Sequence, residues 1–170
     1  MAGIIDTHAH ITCDELFERA DEIIENAKRN GVEKILAISF TREQCEKAIA
    51  LSNKYPGMID IAVGLFPVDM QDLTKQDFEE LEVLAQDDHV VAIGEIGLDY
   101  YWTKENTDKQ KEVFNKMLQI AIDFELPVII HNRNATKDVY EMVKKSRVTG
   151  VLHCFSGSIE SANDFIKIGF

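Results

Sequence analysis

The stretch GIIDTHAH, residues 3–10, decides how this chain is interpreted, because a short β-branched run passes directly into two histidines. Three later stretches repeat this plan, and in them an apolar run leads to Glu95, His131 and His153. Polar side chains at the carboxyl ends of successive parallel strands meet at one end of a sheet or barrel. The pattern therefore predicts one site built from the ends of several strands.

Strand-like and helix-like patterns alternate over the full length of the chain. We predict six strands, near residues 3–8, 34–40, 60–66, 90–98, 127–132 and 149–155. Their nearly continuous apolar character is typical of parallel strands that are covered on both faces. Apolar residues at helical spacing fill the gaps between them. No repeat, low-complexity tract or linker interrupts the series, so we expect residues 1–170 to form a single domain.

Two capping-box patterns mark the predicted starts of helices. They are TCDE at residues 12–15 and TREQ at residues 41–44. Gly31 suits the end of the first helix, because a residue without a Cβ adopts the left-handed conformation at little cost.

Six βα units in series fit either an open doubly wound sheet or a (β/α)₈ barrel. A doubly wound sheet would more often carry a glycine-rich phosphate loop after its first strand, and residues 6–10 contain no glycine. Several successive strands contribute polar residues to one end, which favours the barrel. We expect an α/β fold, namely a TIM-type (β/α)₈ barrel that is incomplete here, with about six βα units.

Composition excludes several classes of protein. The chain has 170 residues, of which 45% are hydrophobic, and no apolar run approaches the length of a membrane span. We see no secretory signal, and three widely spaced cysteines argue against a disulfide framework, so we expect a cytoplasmic protein. A net charge of −12 argues against non-specific binding along a nucleic-acid backbone. It leaves a nucleic-acid substrate open, because metal cations can supply local positive charge.

Five side chains at strand ends are candidate metal ligands: His8, His10, Glu95, His131 and His153. His8 and His10 are two residues apart on a strand, so both point to one face. A single histidine at a strand end is more often a hydrogen-bonded core residue than a ligand. Occurring together, the five predict a site for one or two divalent metals. Glu95 could bridge two cations through its two oxygens, and it is our candidate catalytic residue.

Other polar residues near these strand ends have two interpretations each. Arg133 could bind phosphate through a forked contact, or it could form an ion pair within an acidic protein. Tyr100 and the two aromatic residues after it could bind substrate by stacking on a base or sugar, or they could be a packed loop. Asp99 and Asp6 could each orient a histidine or cap a turn. For Cys154 we favour a packing role over ligation.

The four stretches resemble the TatD family of metal-dependent hydrolases, within the amidohydrolase-type TIM barrels. The matching pieces are DTHAH (residues 6–10), GEIGLDY (94–100), PVIIHNR (127–133) and HCFSG (153–157). The resemblance implies that His8 and His10 bind one metal, that His131 and His153 bind the other, and that Glu95 bridges them. It also implies metal-dependent DNase activity, including exonuclease trimming, in the cytoplasm.

The chain departs from that family in two places. The family's third strand usually ends in Gly-X-His-Pro, whereas this chain has Phe66, which cannot form a hydrogen bond to phosphate. Family members also continue through two more strands and supply a metal-binding aspartate that is absent from these residues. We therefore expect a fragment, a truncated product or one part of an assembly completed by another chain. Six strands cannot close an eight-stranded barrel, so the open edges could also support self-association.

The leading functional hypothesis is a DNA phosphodiesterase that uses metal-activated water. One alternative is a metal-dependent amide or ester hydrolase acting on a small metabolite, since such a centre can also polarise a carbonyl. The other alternative is a catalytically incomplete fragment that binds metal weakly or not at all. Mixed imidazole and carboxylate ligands suit two divalent ions, with zinc, manganese and magnesium all open.

Overall fold

A computed structural model of the protein describes residues 3–68 and 73–170. In this part of the chain, six strands form one sheet in their sequence order, and every neighbouring pair is parallel. The strands are β1 (Ile4–Ala9), β2 (Val32–Ser39), β3 (Ile59–Val63), β4 (Val90–Asp99), β5 (Val128–Arg133) and β6 (Gly150–Leu152).

Helices connect the strands and cover one face of the sheet. They are α1 (Asp14–Phe17), α2 (Ala20–Arg29), α3 (Arg42–Lys54), α4 (Lys75–Leu84), α5 (Thr107–Asp123), α6 (Thr136–Ser146) and α7 (Ile159–Lys167). The repeated order of strand and helix gives the predicted series of βα units. The expected α/β architecture, an incomplete TIM-type barrel, is thereby confirmed.

The core has two parts because successive strand residues point to opposite faces of the sheet. The larger part lies between the strands and the helices and includes Ile61, Ile93 and Phe114. The smaller part lies on the opposite face, where Ile38 of β2 is in register with Ala62 of β3. Both faces of the central strands are therefore buried, as the apolar runs predict.

The first strand does not follow that expectation. Ile4 is 55% exposed and Ile5 is 59% exposed, although the apolar run predicts a strand covered on both faces. β1 lies at one edge of the sheet and pairs only with β2, so it lacks a second neighbouring strand. β6 forms the other edge and is three residues long, shorter than the predicted 149–155. Self-association through these edges remains a prediction.

The first predicted helix differs from the observed structure. The pattern at residues 12–15 does not form a capping box, because Thr12 is fully buried and its hydroxyl donates to the backbone oxygen of Ile38. Cys13 takes the N-cap position without a side-chain hydrogen bond, and the helical stretch is divided into α1 and α2.

Two other predicted helix boundaries, at Thr41 and Gly31, are confirmed, and the structure shows a further one at Ser158. Thr41 caps α3 by accepting a hydrogen bond from the backbone N–H of Gln44 at 3.2 Å. Gly31 follows α2 with a φ of +84°, where a side chain would strain the backbone. Ser158 caps α7 through the N–H of Ser161.

Within residues 3–68 and 73–170, no helix combines the length and the apolar character that crossing a bilayer requires.

Candidate metal centre

The carboxyl ends of four strands bring the five predicted ligand residues to one end of the sheet. His8 lies near the end of β1 and His10 just after it, Glu95 lies in β4, His131 lies in β5, and His153 follows β6. Nε2 of His8 is 3.2 Å from Oε2 of Glu95. Ligand atoms of His8, Glu95 and His153 all lie within 4.8 Å of one another.

One half of this site, which we name the central group, consists of Glu95, Asp99 and His131 on β4 and β5. Glu95 is only 3% exposed, and its Oε1 is 2.9 Å from Nδ1 of His131. Nε2 of the same ring is 3.0 Å from Oδ2 of Asp99. The imidazole of His131 therefore lies between two buried carboxylates.

This arrangement changes the protonation of the central group. Burial opposes the charged form of Glu95, but hydrogen bonds and charges from His131 and His8 outweigh it and lower the pKa of Glu95 to about 2. Burial likewise opposes a charge on His131, yet the two carboxylates raise its pKa above the ordinary value. For Asp99, burial is outweighed by backbone N–H groups and by His131, so the pKa of Asp99 is lowered. The central group is thus a hydrogen-bonded set of charges that compensate one another.

The other half of the site, which we name the edge group, consists of His8, His10 and His153. The rings of His8 and His153 are stacked, with centroids 3.6 Å apart and planes at 14°. Nε2 of His8 is 3.2 Å from Nε2 of His10. Since His8 belongs to the first strand and His153 follows the last, their contact shows that the sheet is curled at this end.

Two rings of the edge group, those of His10 and His153, favour the neutral form. Burial, reinforced by the neighbouring His8, lowers the pKa of His10 and of His153, and Glu95 only partly opposes this. Nδ1 of His8 is buried and has no hydrogen-bond partner in the part of the chain that the structure describes. Neutral imidazoles with free lone pairs are the form of histidine that binds a metal.

The donors at this site fit a divalent cation. Imidazole nitrogens and carboxylate oxygens are the mixed ligand set used by zinc and manganese sites. The closely spaced ligand atoms of His8, Glu95 and His153 could hold one ion. His131 faces the second oxygen of Glu95, which is consistent with the bridging role that the family resemblance implies for this carboxylate.

Asp99 and Asp6 were each expected either to orient a histidine or to cap a turn, and the structure distinguishes them. Asp99 contacts the ring of His131, as expected for a residue that orients a histidine. Asp6 is exposed and lies within β1, where its Oδ1 accepts a hydrogen bond from the backbone N–H of His8 at 3.1 Å. Neither of its two predicted roles is seen there.

The Arg133 side chain lies over two exposed aromatic rings. Its guanidinium carbon is 4.3 Å from the ring centroid of Tyr101 and 5.5 Å from that of Trp102. Tyr101 is 51% exposed and Trp102 is 64% exposed, so they are not the packed loop of the alternative interpretation. Among residues 3–68 and 73–170, no carboxylate forms an ion pair with Arg133. Cation–π contacts thus take the place of the ion pair considered from the sequence.

Tyr100 is oriented differently from the two aromatic residues after it. Its hydroxyl donates to Oδ2 of Asp138 at 2.7 Å, and its ring packs against the main core. Burial and the Asp138 carboxylate raise the pKa of Tyr100 to about 12. Substrate binding by Tyr100 remains a prediction, and the ring nearest to Arg133 is that of Tyr101.

Two features of the site were not predicted from the sequence. Gln110 is fully buried, and its amide group joins Asp99 and Thr103, which fixes the loop after β4. The sequence does contain a signal for Gln110, because this polar residue lies on the apolar face of α5, three residues before Val113. Phe40 lies 5.3 Å from the ring of His10, and nothing local indicates that contact.

Phe66 occupies the position at which the resemblance leads one to expect histidine. Its ring centroid lies 4.9 Å from that of His131 and 5.0 Å from that of Phe40. An apolar ring therefore adjoins the central group, and Phe40 lies between it and His10 of the edge group, where a histidine at position 66 could form hydrogen bonds.

Cys154 corrects a prediction, because its side chain is exposed and does not pack in a core. It follows His153 with a φ of +44°, an uncommon conformation for a residue other than glycine.

The chain is similar to several known proteins. A metal-dependent hydrolase of Bacillus subtilis, YabD, is 41% identical over 170 residues, which cover 98% of this chain and 66% of YabD. The human deoxyribonuclease TATDN3 is 27% identical, with 99% of this chain and 66% of that protein covered. The crystal structure of YjjV, a TatD homologue from Escherichia coli K12, superposes with a TM-score of 0.90 at 29% identity, covering 97% of this chain and 65% of YjjV.

The chain spans about two thirds of the length of these relatives. Residues 5–170 match the family described as TatD related DNase. The match includes all four strand ends that carry the candidate ligands, and on these grounds the chain belongs to the TatD-related DNase family.

Proposed function

We propose that this chain carries the metal centre of a divalent-metal-dependent hydrolase that cleaves phosphodiester bonds in DNA. The observation that carries the proposal is the convergence of His8, Glu95 and His153, whose ligand atoms lie within 4.8 Å of one another. Membership of the TatD-related DNase family and the similarity to a human deoxyribonuclease support the choice of substrate.

In this proposal the chain divides the ligands between two cations. His8 and His10 would hold one, His131 and His153 would hold the other, and the Glu95 carboxylate would be shared between them. A bound divalent cation polarises a phosphoryl oxygen and lowers the pKa of water at the site. Burial of Glu95 excludes bulk water from the carboxylate, which strengthens its interaction with any positive charge placed beside it.

Arg133 is proposed to bind a phosphate of the substrate. Its guanidinium is exposed, lies over Tyr101 and Trp102, and has no carboxylate partner in the described part of an otherwise acidic chain. The guanidinium presents a planar fork of N–H donors that matches phosphate geometry. A cation held in this way compensates for a net charge of −12, which by itself would repel DNA.

The three cysteines are free thiols in the structure. Free thiols favour a reducing compartment, and we propose the cytoplasm as the location.

The test compares metal content and hydrolysis in two variants. Elemental analysis of the dialysed wild-type protein is expected to give between about one and two divalent ions per chain. Glu95→Ala should lose both the bound metal and DNA cleavage while remaining folded. Glu141→Ala, which changes an exposed glutamate on α6, is the matched control and should behave as wild type.

Substrate class is tested on the same proteins with a panel of DNA, RNA, small esters and small amides. Metal-dependent cleavage of DNA that is lost in Glu95→Ala supports the proposal. Cleavage of esters or amides alone would identify the small-metabolite hydrolase instead. DNA cleavage that continues unchanged in Glu95→Ala would show that another site, or another protein in the sample, is responsible.

A further inference from the structure

Asp99 is fully buried, and the two oxygens of its carboxylate contact two different parts of the site. Its Oδ1 accepts hydrogen bonds from the backbone N–H groups of Tyr101 at 2.9 Å and Trp102 at 2.8 Å. Its Oδ2 lies 3.0 Å from Nε2 of His131. One side chain thus joins a candidate metal ligand to the turn that carries the aromatic partners of Arg133.

The position of this carboxylate is fixed by its surroundings. The backbone N–H of Asp99 donates to Oε1 of Gln110 at 2.8 Å, and Nε2 of Gln110 donates to the backbone oxygen of Asp99 at 2.9 Å. The two N–H groups at Oδ1 prevent rotation of the carboxylate, because rotation would leave them unpaired in a buried place. Oδ2 is therefore held in place facing the imidazole.

Such an arrangement selects one tautomer of His131. An ionised carboxylate can only accept hydrogen bonds, so Nε2, which faces Oδ2 of Asp99, carries a proton. Nδ1 likewise faces the ionised carboxylate of Glu95, so both nitrogens carry a proton when no cation is present. A cation beside Glu95 would replace the proton on Nδ1, and the neutral ring would then keep its proton on Nε2 and have its lone pair on Nδ1. Nδ1 is the atom that faces Glu95, on the side of the candidate metal ligands.

We propose that Asp99 is a positioning residue: it holds His131 in the tautomer whose Nδ1 can bind a cation, and it holds the Tyr101–Trp102 turn. The inference rests on the proposed function, because it assumes a divalent cation beside Glu95. A histidine that binds metal commonly donates its other N–H to a carboxylate, and loss of that partner weakens metal affinity by about 10- to 100-fold.

The substitution Asp99→Asn separates the two roles. Asparagine retains an oxygen that can accept from the N–H groups of Tyr101 and Trp102, but it places an NH₂ donor opposite Nε2 of His131. The proton of His131 must then move to Nδ1, which blocks that nitrogen as a ligand. The reversed amide would place its NH₂ against two backbone donors, so the surroundings disfavour it.

The fluorescence of Trp102 reports on the turn independently of activity, because Trp102 is the single tryptophan of the chain. For Asp99→Asn we expect the affinity for Zn²⁺ to fall by about 10- to 100-fold, with the emission maximum of the metal-free protein unchanged. For Asp99→Ala we expect the same loss of affinity together with a shifted emission maximum, because the turn loses its acceptor.

Asp87 provides a matched control at the other end of β4. Its Oδ1 accepts from the backbone N–H of His89 at 2.9 Å and lies 2.8 Å from Nδ1 of the His89 ring. Asp87→Asn therefore changes the same kind of contact away from the site. We expect wild-type affinity for Zn²⁺ and wild-type emission from this variant.

Three results would overturn the role of Asp99. Wild-type Zn²⁺ affinity in Asp99→Asn would show that the carboxylate does not position His131. If the emission maximum shifts as much in Asp99→Asn as in Asp99→Ala, the loss of Zn²⁺ affinity in Asp99→Asn would be due to loss of local structure. Nitrogen–proton correlation spectra of the Zn²⁺-loaded wild-type protein test the tautomer without any variant. A proton on Nδ1 of His131 would contradict the inference, and a proton on Nε2 would support it.

These outcomes are distinct from failure of the proposed function. A wild-type protein that binds no Zn²⁺, Mn²⁺ or Mg²⁺ contradicts the metal centre and with it the role given to Asp99. If the wild-type protein binds metal and Asp99→Asn binds it with the same affinity, only the role of Asp99 is contradicted, and the proposed metal centre stands.

Discussion

The central group and the edge group contain similar side chains but are held by different means. Glu95 and Asp99 lie on β4, which has a neighbouring strand on each side, and both carboxylates are hydrogen-bonded to His131. His8 and His153 come from the two outermost strands, and their rings contact each other. The centre of the sheet thus supplies paired charges, whereas its edges supply imidazole rings that stack on each other.

This difference indicates which half of the site is formed before a cation binds. The protonated ring of His131 compensates the negative charges of the central group, so the three residues satisfy one another. In the edge group only His8 faces a carboxylate in the described part of the chain, that of Glu95, and its Nδ1 lacks a partner there. We expect the central group to contribute to the stability of the metal-free protein and the edge group to contribute chiefly to metal binding.

The largest effect should come from Glu95, because this residue contacts both groups. Glu95→Gln removes the negative charge that faces His8 and His131. We expect metal affinity to fall by more than about 100-fold, since a direct ligand costs more than an outer partner. Calorimetric titration with Mn²⁺ measures the effect, and Glu141→Gln is the control. A loss below tenfold would contradict a direct contact between Glu95 and the cation.

The second prediction compares the groups directly in the metal-free protein. His131→Ala leaves two buried carboxylates without their partner and should lower the free energy of unfolding by about 2 kcal/mol. His153→Ala removes a half-buried ring that has no hydrogen bond to a charged group within residues 3–68 and 73–170, and it should cost at most about 0.5 kcal/mol. Urea denaturation in the presence of a chelator measures both.

Equal losses of stability in these two variants would remove the distinction between the central and the edge group. Metal titration completes the comparison, because His153→Ala should weaken metal binding even though it leaves the metal-free protein stable.

The contrast between centre and edge also explains what the sequence predicts well. The apolar runs locate all six strands, because residues such as Ile93 and Ile130 are buried by neighbours on both sides. Polar residues after these runs locate the candidate ligands, since parallel strands end at one edge of the sheet. Both signals are local in the sequence and depend little on details of packing.

Contacts between distant parts of the chain could not be predicted in this way. Thr12 is buried by a hydrogen bond to Ile38, 26 residues away, so its local pattern falsely indicates a capping box. The stacking of His8 on His153 depends on the curl of the sheet. The position of His131 between Glu95 and Asp99 depends on the register of β4 and β5. These features need the three-dimensional structure.

The third prediction concerns pH in the metal-free protein. The raised pKa of His131 means that its contribution to stability is complete below its unfolded-state value of 6.5 and is lost as pH rises through the folded-state value. Glu95 has a lowered pKa of about 2, so its contribution is complete above 4.5 and is lost as pH falls toward 2.

The stability difference between wild type and His131→Ala should therefore be largest between about pH 4.5 and pH 6.5 and should narrow on either side. Urea denaturation across this range measures it. His10 and His153, whose pKa values are lowered, are present in both proteins, so their contribution largely cancels. A difference that grows steadily up to pH 9 would contradict a protonated His131 between the two carboxylates.

The smallest effect should come from Phe66, which contacts His131 directly and His10 only through Phe40. Phe66→His replaces an apolar ring with one that can form hydrogen bonds, as the resemblance leads one to expect at this position. The lost ring contacts should cost about 1 kcal/mol in urea denaturation, since aromatic pairs contribute on that scale. Metal affinity should change by less than about tenfold, because Phe66 supplies no ligand atom.

Phe66→Leu is the control, since it removes the ring without adding a polar group. Phe66→His, but not Phe66→Leu, could raise metal affinity by as large a factor as Glu95→Gln lowers it. That result would show that the new imidazole binds the cation itself. The central group could then be extended by a residue that this chain does not use.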